Sequence, residues 1–440
     1  MSTTRTWSER AAEVSAATPA TRHRVIDFLR AAAITVVVLG HWTIVAVDSE
    51  GIQPHGVLGH APWSHPLTWV FQVMPVFFLV GGYANGLSWR SARRKGQGYG
   101  SWLRARLRRL GLPLIPLLLT WLVICAVLLA VGTAPERVRI ASQMALIPTW
   151  FLAAYLLVIV VAPGCLKLCE RFGWASIAGG VLLAGLVDVI SIRTGSELAG
   201  YPNYLIVWAS FHQFGYAWLD GKLATVGRKL LLAGIGAVGL LVLVGFGPYP
   251  VSMISAASDE ISNSNPTRVT MAFLGMLQAG LVLLAEQPLT RWLQRPRVWF
   301  VTVLLNARIM TWFLWHLTAM VGVASLLVAL RGMGLGGFGL GLAPLSAVWW
   351  LTRPLWWLVL LAVTYGLVLT FGRFESPKPD HRPAPATWRP IAAAVCVCVG
   401  LAVLASSGMV GADGLNPIWP LLPVAGLAVF GVLLPPRFGK

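Results

Sequence analysis

Twelve apolar segments, separated by short polar stretches of alternating charge, leave this chain few folds to choose from. They run at about 31–47, 67–88, 110–131, 149–165, 174–192, 202–219, 229–247, 269–285, 308–330, 354–372, 390–410 and 415–434. Most approach the ~20 residues that an α-helix needs to cross a ~30 Å hydrocarbon core. Hydrophobic residues make up 57% of the 440 and charged residues only 11%, whereas a soluble domain carries about a quarter charged residues. The expected fold class is all-α and integral to the membrane, with about twelve transmembrane helices.

The charges report sidedness. Of the 34 Lys and Arg residues, 28 fall in the N-terminal tail, the C-terminus and alternate connections; the intervening connections hold six. This asymmetry predicts a multi-pass protein with both termini in the cytoplasm. The net charge of +18 then calls for no nucleic-acid partner. Basic residues confined to short loops suit the lipid bilayer surface or a phosphorylated ligand. No loop exceeds about 25 residues, so any chemistry belongs to the helix bundle and its connections. The polar first 23 residues lack the apolar core of a cleavable signal, which leaves the first span as its own insertion signal. None of the five cysteines forms a C-x-x-C pair. His55, His60 and His65 are spaced by five, which matches no ligand pattern, so no metal site is expected.

Several ionisable residues break the apolar pattern. In "RVIDFLRAAAITVVVLGHW" (24–42), Arg30 marks the helix mouth. His41 follows eleven residues later, about 16 Å along a helix axis and near half-depth in the core. Ionisable groups at such depth are costly and usually functional, although a lone His can simply bond a neighbouring helix. Asp27 lies one turn from Arg30 and can pair with it. The most basic connection, Arg90 to Pro116, carries Arg106 and Arg109 three residues apart, hence on one helical face. Guanidinium groups grip phosphate bidentately. Asp188 and Glu286 lie in apolar segments without an evident partner. The tryptophans Trp349, Trp350, Trp356 and Trp357 read as interfacial belts.

These residues resemble the membrane acyltransferase-3 family. "RVIDFLRAAAITVVVLGH" is similar to the family's opening R-x-x-x-L-D-x-L-R helix ending in His, with Ile26 in place of Leu. Arg106 and Arg109 match its R-x-x-R element. "MPVFFLVGGY" (74–83) resembles the FF-x-x-SG segment, with Gly81 where Ser is usual. "PTWFLAAYLL" (148–157) contains a similar Trp-Phe-Leu, at Trp150, and "ARIMTWFLWH" resembles the late helix ending in His, here His316, without its Ser-Tyr pair.

The resemblance implies a polar tail (1–23), an acyltransferase-like transmembrane domain of ten helices (24–374), and a C-terminal extension with two more spans (375–440). It implies a bacterial cytoplasmic-membrane enzyme that moves an acyl group, commonly acetyl, from cytoplasmic acyl-CoA to a hydroxyl of a cell-envelope glycan or glycolipid. Acyl-CoA enters as donor substrate, with no tightly bound cofactor. His41 is the expected catalytic residue, as general base or transient acyl carrier. Arg30, Arg106 and Arg109 are expected to bind acyl-CoA, with Asp27, Trp150 and His316 in support. A twelve-span secondary transporter or a lipid flippase without acyl chemistry is the competing class, although no internal repeat relates the two halves of the chain.

Overall fold

A computed structural model describes residues 6–47, 52–53, 57–255, 261–335, 342–343, 345–375 and 382–433. It is nearly all-α, 79% helical, with two short antiparallel ribbons, Ala46–Val47 with Ile52–Gln53 and Val410–Gly411 with Gly414–Leu415. Among the described residues, eight helices are long and apolar enough to cross a membrane, and up to ten if two bent pairs each count as one span. One pair is Tyr99–Gly111 with Leu114–Ala130, bent by 41°; the other is Val269–Leu284 with Glu286–Trp292, bent by 51°. Pro113, which lacks a backbone N–H, sits at the first break. The expected segments at 202–219 and 415–434 hold helices of only 17 and 12 residues, Asn203–Leu219 and Ile418–Val429. Helix length therefore supports eight to ten spans.

The first long helix starts at Arg24, seven residues ahead of the expected boundary at 31, and ends at Ile44. Its polar opening turns stay helical because their charges are paired. Asp27 Oδ2 accepts from Arg22 Nε at 2.6 Å, and its Oδ1 accepts from Arg30 Nη2 at 3.0 Å. Arg30 Nε also donates to Asn306 Oδ1 at 2.8 Å, and Arg24 Nη1 to the Leu293 carbonyl at 2.9 Å. The end at Ile44 places His41 in the last turn of the helix.

The chain divides into two compact units, residues 1–37, 64–86 and 164–309 in one and residues 38–63, 87–163 and 310–440 in the other. In the first unit, glycines set the helix contacts. A Cβ on Gly215 would meet the Leu79 carbonyl and the Tyr83 nitrogen, and one on Gly82 would meet the His212 carbonyl. Gly82 of "MPVFFLVGGY" and Gly215 thus let two helix backbones touch, which is how apolar spans gain packing where lipid is as apolar as leucine.

Asp188 and Glu286, for which the sequence suggests no partner, are both paired in this unit. Asp188, fully buried, accepts from Asn203 Nδ2 (2.8 Å), the Tyr249 hydroxyl (3.0 Å) and the Val269 backbone N–H (2.8 Å). Arg268 Nη1 lies 3.5 Å from it. The partners come from loops and helix ends 15 to 81 residues away in sequence, so no local pattern reveals them. Glu286 accepts from Trp218 Nε1 at 3.1 Å, with His23 Nε2 at 3.4 Å and Lys229 Nζ at 3.7 Å.

In the second unit, the Trp388–Ser407 helix packs against Ile418–Val429 through Gly400, which abuts Pro423, and Gly426, which abuts Cys396. Buried Arg104 ties the chain ahead of this pair to the Tyr99–Gly111 helix, donating to the Pro383 and Arg382 carbonyls, both at 2.9 Å. Two of the four tryptophans read as interfacial belts are turned inward instead: Trp349 is 3% and Trp356 9% exposed.

Candidate functional site

The second unit brings two of the sequence-predicted residues into direct contact. His41, from the last turn of Arg24–Ile44, and His316, from the Ile309–Gly332 helix, approach with Nδ1 of His41 2.8 Å from Nε2 of His316. Their ring planes are only 4° apart. His316 is fully buried, and His41 keeps part of its surface open.

Backbone groups decide where the protons lie. His316 Nδ1 is 2.6 Å from the Phe313 carbonyl oxygen. A carbonyl can only accept, so Nδ1 carries the hydrogen. In a neutral ring Nε2 must then be the acceptor. His41 Nδ1–H consequently donates to His316, and His41 Nε2 keeps its lone pair. Among the described residues Nε2 has no protein partner, which leaves it as the nitrogen that a substrate can meet. Such an ordered chain from carbonyl to ring to ring is what a general base requires.

The pair is framed by indoles and by an unexpected carboxylate. Trp42 Nε1 donates to the His316 carbonyl at 3.1 Å, Trp356 Nε1 donates to the Trp42 carbonyl at 3.0 Å, and Trp121 Nε1 donates to Thr318 Oγ1 at 2.9 Å. Trp150 is linked to the pair through two aromatic rings: it is 6.2 Å from Phe151, Phe151 is 5.4 Å from Phe313, and Phe313 is 6.0 Å from His316. Glu375 closes the start of the His316 helix. Its Oε1 accepts from the Met310 N–H and its Oε2 from the Thr311 N–H, both at 3.0 Å, and Oε2 also takes the Thr311 hydroxyl at 2.8 Å. The two backbone N–H groups are orphans of a helix N-terminus, and the carboxylate satisfies them where the helix dipole favours a negative charge.

Phe313, Trp42 and Glu375 were not among the residues the sequence singled out, and Trp356 was read there only as an interfacial-belt residue. Trp42 could have been suspected as the neighbour of His41. The Phe313 carbonyl and the cap contributed from 64 residues downstream leave no signal in a residue pattern.

The arginines fall elsewhere. Arg106 and Arg109 share the Tyr99–Gly111 helix as expected; Arg109 is exposed, and half-buried Arg106 lies over the Trp102 ring at 5.7 Å and within electrostatic reach of Arg109 and Tyr155. Arg30 and Asp27 belong to the first unit, joined there to each other and, through Arg30, to Asn306. Of the three histidines spaced by five, His55 and the side chain of His60 lie outside the described residues, and the His65 carbonyl accepts from Thr68 Oγ1 at 2.5 Å.

A family model described as an acyltransferase domain matches residues 23–373, which includes the whole Arg24–Ile44 helix and His316. The chain belongs to the acyltransferase-3 family. No curated protein and no solved structure matches the chain. The matched stretch of this membrane acyltransferase includes both imidazoles of the pair, that of His41 partly open and with its tautomer fixed. The Trp388–Ser407 and Ile418–Val429 helices follow the matched stretch.

Proposed function

We propose that the protein transfers an acyl group, commonly acetyl, from acyl-CoA to a hydroxyl of a cell-envelope glycan or glycolipid. It would do so from a bacterial cytoplasmic membrane, with both termini in the cytoplasm and twelve spans. The 28-to-six distribution of cationic residues supports that orientation. The observation that carries the chemistry is the proton order from Phe313 through His316 to His41.

In this reading the acceptor hydroxyl meets His41 Nε2. As its oxygen attacks the thioester carbonyl, the hydroxyl proton moves to Nε2, and the developing positive charge on His41 is shared through Nδ1–H with His316. Collapse of the tetrahedral adduct breaks the carbon–sulfur bond. The departing thiolate takes the proton from His41, which returns to its starting tautomer. Atoms and charges balance without a metal or a redox partner. Arg106 and Arg109 offer guanidinium forks to the donor's phosphates.

The test uses purified full-length protein in lipid with radiolabelled acetyl-CoA and envelope extract as acceptor source. Free CoA thiol and label in the acceptor fraction are the expected products, and both fall at least 100-fold in H41A, in line with the worth of a general base. Thiol release by wild type at the rate of protein-free vesicles would sink the reading.

A further inference from the structure

The basic connection that carries Arg106 and Arg109 also borders a polar cavity with no part in the chemistry above. In "RRKGQGYGS" (93–101) the chain turns from the helix Met74–Arg94 into Tyr99–Gly111. Gly96, at φ +69°, makes the turn in the left-handed region that glycine favours, and Gly98 precedes the second helix in extended backbone. Gly100 lets chain from beyond the acyltransferase match lie directly on that helix: a Cβ there would come 2.8 Å from the Pro385 carbonyl. Between the turn, the helix and residues 382–384 lies a cavity of about 460 Å³. Its wall is formed by Gln97, Ser101, Arg104, Ala105, Arg382 and Ala384 with the bare backbone of the glycine turn.

Among the described residues that wall holds two guanidiniums and no acidic side chain. Main-chain carbonyls fix both cations. Arg104 donates to the Pro383 and Arg382 carbonyls, each at 2.9 Å, and Arg382 Nη1 to the Gly431 carbonyl at 2.8 Å. These carbonyls orient the planar forks without cancelling their charge, and they take up fewer than the five N–H donors of each. Two oriented cations, an amide, a hydroxyl and open main chain suit a compact phosphorylated ligand. The wall has no leucine or aromatic ring, so the tail of a lipid finds no seat there.

The helix also sets this cavity apart from the arginine pair. Ser101, Arg104 and Ala105 are three and four residues apart and share one face. Arg106 and Arg109 lie roughly 100° further round the same helix. Coenzyme A likewise carries phosphate in two places, a diphosphate along its chain and a monoester on the 3′ oxygen of its ribose.

We propose that the cavity takes the adenosine 3′-phosphate of the acyl-CoA donor, held by Arg104 and Arg382, while Arg106 and Arg109 face the diphosphate. Arg382 follows the matched stretch 23–373, so the C-terminal extension completes donor recognition. The identity of the donor rests on the acyl-transfer reading; a site for a phosphate monoester does not.

Adenosine 3′,5′-bisphosphate and AMP, which lacks only the 3′-phosphate, are titrated against the detergent-purified full chain by microscale thermophoresis, without acetyl-CoA. Wild type is expected to bind the bisphosphate about tenfold more tightly, the weight of a hydrogen bond to a charged group. R382Q brings the two nucleotides to within about twofold, and R382K keeps part of the preference. Because Arg382 also braces Gly431, a second pair of variants leaves both arginines in place. Ala105 is exposed; A105E sets a carboxylate in the wall, and A105Q a neutral group of the same size. A105E is expected to bind the bisphosphate about tenfold more weakly than A105Q by charge repulsion alone, and to raise KM for acetyl-CoA with kcat within about twofold. Equal affinity of wild type for the two nucleotides, or equal affinity of A105E and A105Q for the bisphosphate, overturns the site. Displacement of the bisphosphate by an equal concentration of phosphatidic acid makes the occupant a lipid headgroup and overturns the donor role. Absence of CoA release by wild type with the nucleotide preference intact supports the site and overturns the acyl-transfer reading instead.

Discussion

Replacing His316 tests the proton order most directly. The ring does two things: its Nδ1–H is spent on the Phe313 carbonyl, and its Nε2 accepts from His41 at 2.8 Å. In H316L the His41 Nδ1–H loses its acceptor, the tautomer is no longer dictated, and the charge that develops on His41 has no neighbour to share it. A general base contributes about 10²–10⁴ in rate, or about 2.7–5.4 kcal/mol at 1.36 kcal/mol per decade. H316L should forfeit most of that. H316Q places an amide oxygen where it can still accept from His41, so it should stay within about tenfold of wild type. The assay is the initial rate of CoA release from acetyl-CoA in proteoliposomes, with thermal unfolding of each variant measured in parallel. The contrast between leucine and glutamine is decisive, because a ring that merely filled space would give both variants the same rate. A folded H316L at wild-type rate would refute the reasoning.

Three further outcomes follow from the packing. D188A leaves Arg268 buried without its carboxylate and strands the Tyr249 hydroxyl and the Val269 N–H; a loss of about 3–5 kcal/mol is expected, read as a lower melting temperature of the purified protein. G215V drives side-chain atoms into the Leu79 carbonyl and the Tyr83 nitrogen, so the yield of monodisperse protein in fluorescence size-exclusion should collapse, while G164A, whose added carbon meets nothing within 4 Å, should leave it unchanged. E375Q exchanges one accepting oxygen for a donor at the start of the His316 helix, where three hydrogens point at the carboxylate; a loss of about 1–2 kcal/mol is expected, checked by thermal shift and by slower CoA release.

The sequence by itself determined that this is a helical membrane protein, that its cations gather in alternate connections, and that His41 and His316 end two motifs of one family. Those properties are written in composition and local spacing, because a hydrocarbon solvent forces every backbone polar group to be satisfied within its own helix. Tertiary structure decided the rest. Asp188 and Glu286 look unpartnered in the chain because their partners arrive from other helices and loops. Trp349 and Trp356 look like belt residues until the fold turns them inward against Arg353 and Trp42. The start of the first helix at Arg24 depends on Asn306 and Leu293, far along the chain. The feature that orders the proton on His41 is a main-chain carbonyl, which every residue possesses and no sequence distinguishes; only the packing of one helix against another gives it a direction.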